Sequence, residues 1–125
     1  MRVLLDTHTL LWVLAGDERL SATARQIITD EANDILVSVV SAWEMAVKRA
    51  LGKLRSPHDL ERVIAEAGFV QRLVLFGDCE RLATLPPIHR DPFDRMLLAQ
   101  AQCEGLQLVT RDPWCHKYDV ETLPV

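Results

Sequence analysis

The sequence predicts one α/β domain built on a short parallel sheet flanked by helices. Runs of about four β-branched or Leu-rich residues alternate with longer stretches whose apolar residues recur at helical spacing. Gly and Pro stand where helices should stop or start. Strands this short and this apolar, separated by helices, belong in a parallel sheet covered on both faces. The 125 residues form a single unit over 1–125, with no repeat, linker or low-complexity segment. A chain of this length buries roughly two thirds of its unfolded surface and needs no staples.

The elements follow in order. Residues 2–5 (RVLL) are a strand ending at Asp6, and 7–15 a helix stopped by Gly16. Ser21 caps a second helix whose apolar positions are Ala24, Ile27, Ile28 and Ala32. A strand is predicted at 35–37 and a helix from about Ser41 to Leu51, closed by Gly52. Pro57 opens a helix through Ala67, ended by Gly68. A strand at 69–73 and a short helix at 78–85 follow, the latter ended by Pro86 and Pro87. Asp91-Pro92 starts a helix running to Glu104, with Gly105 at its C-cap. Strands at 107–110 and 120–123 complete the chain.

Apolar residues make up 49% and charged residues 26%, a globular balance. The net charge of −4 argues against a passive nucleic-acid binder, which usually carries a basic face. It does not argue against a nuclease, because a bound divalent cation adds positive charge that the sequence does not count. Cys79, Cys103 and Cys115 form no CxxC and cannot all pair, which predicts a reducing cytoplasm. A zinc site on Cys115 and His116 lacks a second ligand pair at the usual spacing. The apolar run 10–15 is too short to span a membrane, and Asp6 and His8 interrupt any secretory signal.

Four acids, Asp6, Glu44, Asp94 and Asp112, stand just after strands or at the start of the helices that follow. Ligands of open α/β sheets bind outside the carboxyl ends of the strands, so the fold should gather these acids at one edge. Each alone has a simpler explanation as a helix cap worth about 1 kcal/mol. Ser41 and Glu44 have capping-box spacing, Asp91 precedes a first-turn Pro, and Asp112-Pro113 repeats that form. Asp91 is read as a cap. Together, however, four converging carboxylates repel one another, and Ser or Thr would cap without that repulsion. A site for a hard cation such as Mg²⁺ or Mn²⁺ explains why the residues are acids.

At these residues the chain resembles the PIN-domain family. Val3-Leu4-Leu5-Asp6-Thr7-His8 is similar to the family's first strand, and Ser41-Ala42-Trp43-Glu44-Met45-Ala46-Val47-Lys48 to the segment carrying its second acid. His89-Arg90-Asp91-Pro92-Phe93-Asp94-Arg95 resembles the third segment and Leu108-Val109-Thr110-Arg111-Asp112 the fourth. Four ordered segments resemble the family over essentially the whole chain, and the HRDPFDR and SAWEMAVK forms resemble toxins of VapBC-type pairs. The resemblance implies a three-layer α/β/α fold and a Mg²⁺-dependent endoribonuclease. It further implies an RNA substrate, a cognate VapB-type antitoxin and a homodimer. Asp6 and Asp94 would be direct metal ligands, with Glu44 and Asp112 completing the shell or holding its waters. Water would attack directly, leaving a 5′-phosphate and a 3′-hydroxyl.

Around the acids, Thr7 and Thr110 could bond a carboxylate or water, Thr7 equally being an ordinary first-turn residue. Arg95 and Arg111 are read as phosphate contacts. Lys48, Arg49, Lys53 and Arg55 form either a solvated helix face or a phosphate-contacting rim that an antitoxin could share. His8 and His89 are read as structural. Trp12 and Trp43, on apolar helical stripes, are read as core rather than as base-stacking groups, and Trp43, Val47, Ala50 and Leu51 share one face. The Ile27–Ile28 face is open between core, dimer surface and antitoxin groove. Rival functions are a receiver-like Mg²⁺-binding interaction module, an aspartate phosphatase and a non-catalytic domain of the same fold. A receiver would need paired acids after the first strand and an acid ending a middle strand; a phosphatase would need a second Asp two residues after Asp6. Neither pattern is present. DNA also stays open as a substrate.

Overall fold

The structure, a computed structural model, describes residues 1–125. Five strands form one all-parallel sheet: β1 (Arg2–Leu5), β2 (Asp34–Ser38), β3 (Val70–Arg72), β4 (Gln107–Val109) and β5 (Thr122–Leu123). Their spatial order is β3-β2-β1-β4-β5. Six helices connect them: α1 (Thr7–Ala15), α2 (Ala22–Thr29), α3 (Val39–Ala50), α4 (Leu60–Glu66), α5 (Phe76–Thr84) and α6 (Pro92–Glu104). A single 3₁₀ turn, Cys115–Lys117, precedes β5. No helix is long and apolar enough to cross a membrane.

The two-residue period of the strands divides the core in two. Leu4, Leu36 and Leu108 face one side, where Leu97, Leu98 and Ala101 of α6 cover them. Val3, Leu5, Ile35, Val37 and Val109 face the other and pack on Leu10, Ala24, Ile28, Met45 and Ile64 from α1 to α4. Burying one such aliphatic side chain stabilises the fold by roughly 1.5–3 kcal/mol. From Val3 to Leu5 both faces of β1 are apolar and buried, so this stretch has no polar side to turn to solvent. This explains its central place.

Several boundaries differ from expectation. Helix α3 begins at Val39, not Ser41, because Ser38 ends β2 and its hydroxyl accepts the Val40 N–H at 3.0 Å. Ser41 therefore lies inside the helix and makes no capping box with Glu44. Helix α2 stops at Thr29, so Ala32 lies beyond it, exposed in the turn to β2. Ile28 is core and Ile27 packs half-buried against the same cluster. Helix α4 starts at Leu60 rather than Pro57, after Asp59 adopts a left-handed conformation (φ 57°). Helix α5 starts earlier, at Phe76, with the Asp78 carboxylate accepting the Leu75 N–H at 2.8 Å. Trp12 is buried as expected, but Trp43 is 58% exposed. It rests edge-on against Phe93 at 4.8 Å, outside both cores.

The chain leaves β1 toward β2 on one side and returns to β4 on the other. The carboxyl ends of β1 and β4 therefore flank the point where strand order reverses, the usual place for a ligand crevice.

Candidate active site

Asp6 follows β1 directly and caps α1, its Oδ1 accepting the Thr9 N–H at 2.8 Å. The cap leaves Oδ2 free for a second donor, Thr110 Oγ1, at 2.6 Å. Thr110 follows β4 and is fully buried; its oxygen also accepts the backbone N–H of Asp112 at 3.0 Å. The Asp112 carboxylate then turns back to accept the Trp114 N–H at 2.9 Å. Cap and metal ligand are thus compatible roles for these acids, because each cap occupies only part of a carboxylate.

Glu44 reaches the same place from α3. Residues 41, 44 and 48 share one helix face, and starting the helix at Val39 turns that face toward α1. Thr7 Oγ1 donates to Glu44 Oε1 at 2.7 Å and lies 3.0 Å from Ser41 Oγ. Lys48 Nζ holds Glu44 Oε2 at 2.5 Å. Both oxygens of this buried carboxylate are engaged, so Thr7 is more than a first-turn residue. The bond to Glu44 raises the Lys48 ammonium above its ordinary value.

Asp94 stands in the first turn of α6, which Asp91 caps by accepting the Phe93 and Asp94 N–H groups at 2.8 and 3.2 Å. Burial pushes the Asp94 carboxyl up to about 7, reinforced by the charges of Asp91, Asp6 and Glu44 and opposed by His89. Burial also acts to raise Asp112, but the Trp114 N–H and His89 outweigh it and hold that carboxyl below its usual range. His89 Nε2 lies 2.7 Å from Asp112 Oδ2 and 3.1 Å from Asp94 Oδ2.

The four acids line a cleft of about 300 Å³ in which only Pro113 is not polar, and whose lining does not include His89 or Thr110. Asp6, Glu44, Asp94 and Asp112 all face it, together with Asp91, Lys48 and Arg111. The donor set consists of hard carboxylate oxygens, one of them driven toward neutrality by burial and then by its acidic neighbours, and this fits Mg²⁺ or Mn²⁺. The Cys115 and His116 pair weighed for zinc does not come together: His116 pairs with Thr122, and the groups within 4.8 Å of the Cys115 thiol are His89 and Asp112. At the end of β3, where a receiver needs an acid, stands Arg72.

The flanking cations divide. Arg111 is exposed at the cleft rim with its guanidinium 4.9 Å from the Trp12 ring centroid; Arg19 lies 4.8 Å from the same ring. Lys48 lines the cleft, while Arg49, Lys53 and Arg55 are exposed and do not. Arg95 does not meet its expectation as a phosphate contact. Its Nη1 bonds Pro86 O at 2.9 Å and Tyr118 Oη at 3.2 Å, and Nη2 reaches the Leu82 and Leu85 carbonyls. The guanidinium ties α6 to the end of α5, away from the cleft. His89, read from sequence as structural, instead touches two acids; its place two residues before Asp91 in HRDPFDR was the available signal.

Residues 3–120 match the PIN domain family. The chain is 29% identical to ribonuclease VapC22 of Mycobacterium tuberculosis, over 88% of this chain and 86% of that protein. The fold is similar to VapBC2 from Rickettsia felis bound to a DNA fragment from its promoter, with TM-score 0.70, 11% identity and coverage of 99% and 98% of the two chains. It is also similar to a toxin–antitoxin complex from Klebsiella pneumoniae, with TM-score 0.62, 22% identity and coverage of 97% and 95%. With the four acids gathered at the switch point of a five-stranded parallel sheet and the match running almost from end to end, this chain belongs to the PIN domain family.

Proposed function

We propose that this protein is a divalent-metal-dependent endoribonuclease, the toxin of a VapBC-type pair acting in the cytoplasm. The observation that carries it is the convergence of Asp6, Glu44, Asp94 and Asp112 from four separate segments on one polar cleft. The kinship with a protein named a ribonuclease supports the reaction class.

Asp6 and Asp94 would hold Mg²⁺ directly: both line the cleft, and the two bonds that Asp6 accepts, from the Thr9 N–H and Thr110, come from uncharged donors. Glu44, whose two oxygens already accept from Thr7 and Lys48, would act through ordered water, as would Asp112. Bound there, Mg²⁺ supplies charge neutralisation at the phosphoryl oxygens and lowers the pKa of water. The chain's own contribution is to fix the oxygens: Thr110 and the Thr9 N–H hold Asp6, and the α6 cap holds the backbone of Asp94. Arg111 and Lys48, the cleft's two cations, would bind RNA phosphates and offset the acidic surround. No histidine is required as a base, and the 2′-hydroxyl takes no part, so products carry a 5′-phosphate and a 3′-hydroxyl.

A VapB-type antitoxin is the proposed partner, supported by the structural neighbours, which are VapBC and toxin–antitoxin complexes. A homodimer is supported by the exposed apolar residues from Val70 to Phe76.

The test is cleavage of total RNA by the purified chain with Mg²⁺ and with EDTA, beside Asp6→Asn and Asp94→Asn. Discrete, metal-dependent cuts with 5′-phosphate ends, lost in both folded variants, are expected. Equal cutting by both variants would overturn the mechanism. A folded, metal-loaded wild type that cuts no RNA, tRNA and ribosomal RNA included, would point to a non-catalytic domain.

A further inference from the structure

We propose that His89 is a positioning residue of the acid cluster, donating from Nε2–H to set the Asp112 carboxylate beside Asp94 for a divalent cation. The inference rests on the metal-site reading above and assigns a role to a side chain outside the four acids.

The tautomer follows from the hydrogen bonds. The backbone N–H of Asp91 points at His89 Nδ1 at 3.2 Å, and an N–H can only donate, so Nδ1 is the acceptor nitrogen. The neutral ring then carries its proton on Nε2. That proton faces Asp112 Oδ2 at 2.7 Å, with Asp94 Oδ2 at 3.1 Å. Asp112 and Asp94 lie 18 residues apart on different segments, and this one nitrogen touches both.

His89 is itself held twice, at its backbone and at its ring. The His89 backbone N–H donates to Tyr118 Oη at 2.7 Å, and that hydroxyl donates to Pro86 O at 3.0 Å. Asp91, which fixes Nδ1 through its N–H, is also the cap of α6. The start of α6 therefore orients the imidazole and places Asp94 through the same turn. The side chain is only 12% exposed, so little solvent competes for Nε2. A histidine serving packing alone would need no polar partner at Nε2; here the nitrogen is aimed at two acids. A ring N–H bonded to a carboxylate that serves a metal site orients that carboxylate, and losing such a partner typically costs about 10–100-fold in metal affinity.

The test measures Mn²⁺ binding to the full chain by the loss of the free-ion EPR signal, for wild type, His89→Ala, His89→Gln and Asp94→Asn. Thermal melts confirm folding. His89→Ala should bind Mn²⁺ about 10-fold or more weakly. His89→Gln, whose side-chain amide can place an N–H where Nε2 stood, should recover most of the loss. If His89→Ala binds as wild type while Asp94→Asn does not bind, His89 only packs and the proposal falls. Equal loss in the Ala and Gln variants would also overturn it, since the N–H would then not be the group that matters. Failure of wild type itself to bind Mn²⁺ would instead overturn the metal site and this proposal with it. Imidazole ¹⁵N shifts of the wild type give a readout independent of any variant: a protonated Nε2 and bare Nδ1 are expected, and the opposite tautomer would refute the assignment.

Discussion

Thr110 donates its hydroxyl proton to Asp6 across 2.6 Å, and the same oxygen receives the backbone N–H of Asp112. One buried atom thus joins the acids that follow β1 and β4. Thr110→Val keeps the shape and removes the oxygen. The change leaves Asp6 Oδ2 without a donor and the Asp112 N–H without an acceptor, a loss of about 1–3 kcal/mol in stability. Urea unfolding should show that loss, and Mn²⁺ titration a fall of about 10-fold in affinity. Thr110→Ser should restore most of both. Wild-type affinity in a folded Thr110→Val would show that the hydroxyl serves the fold alone.

Asp94 gives the site a pH dependence with a defined sign. Its carboxyl, driven first by burial and then by Asp91, Asp6 and Glu44, sits at about 7 against 3.8 for the free group. Between those values the native chain keeps a proton that the unfolded chain has released. Without metal, this group's contribution to stability therefore falls as pH rises from about 4 to about 7, and is flat above. Cation binding needs the carboxylate, so Mn²⁺ affinity should rise over the same window and level off above about pH 7. Urea midpoints at pH 5 and pH 8 in EDTA, compared with Asp94→Asn, measure the first effect. Should the variant keep the wild-type slope, the titrating group lies elsewhere.

The sheet, the helices and the four acids were legible because their signals are local. A β-branched run ending in Asp, a Pro after a cap and a Gly after a helix each act within a few residues. What stayed hidden depends on neighbours distant in sequence. Thr7 and Glu44 are 37 residues apart, and His89 and Asp112 are 23. Arg95 sits beside a site acid in sequence, yet its guanidinium points along the helix flank to carbonyls that only the packing of α5 brings near. Ser38 and Ser41 can both cap a helix; the length of β2 decides between them. Trp43 lies on an apolar stripe, but both sheet faces are already covered, and nothing in the stripe itself says that it stays outside.

Beyond the site, Arg72 and Asp78 form a buried pair at 2.8 Å that joins the end of β3 to the first turn of α5. Their side chains are 7% and 1% exposed, and Glu104 of α6 also contacts the guanidinium. Deleting Asp78 leaves the guanidinium with Glu104 alone and takes the acceptor from the Leu75 N–H. Asp78→Ala should therefore cost about 1–3 kcal/mol, read as a lower urea midpoint. RNA cleavage at low temperature should persist, because neither residue lines the cleft. A loss under 1 kcal/mol, measured the same way, would mean that water reaches the pair.

The last prediction concerns the sheet edge. Strand β3 is the outer strand on its side, and Val70, Leu73, Val74, Leu75 and Phe76 are all exposed, Phe76 at 93%. Five large apolar side chains within seven positions make a patch of the kind that protein partners cover. A second apolar stripe, Trp43, Val47 and Leu51, lies on α3. The proposed homodimer would seat this edge patch against a second copy of the chain. Phe76→Glu with Leu73→Glu should then convert a dimer to a monomer in light scattering, while Trp43→Glu with Leu51→Glu leaves the mass unchanged. The dimer-breaking pair should keep its Mn²⁺ affinity, since the four acids all come from one chain. If the α3 pair breaks the dimer and the edge pair does not, the assignment of the two surfaces reverses. A wild type that is monomeric at every concentration removes the dimer altogether.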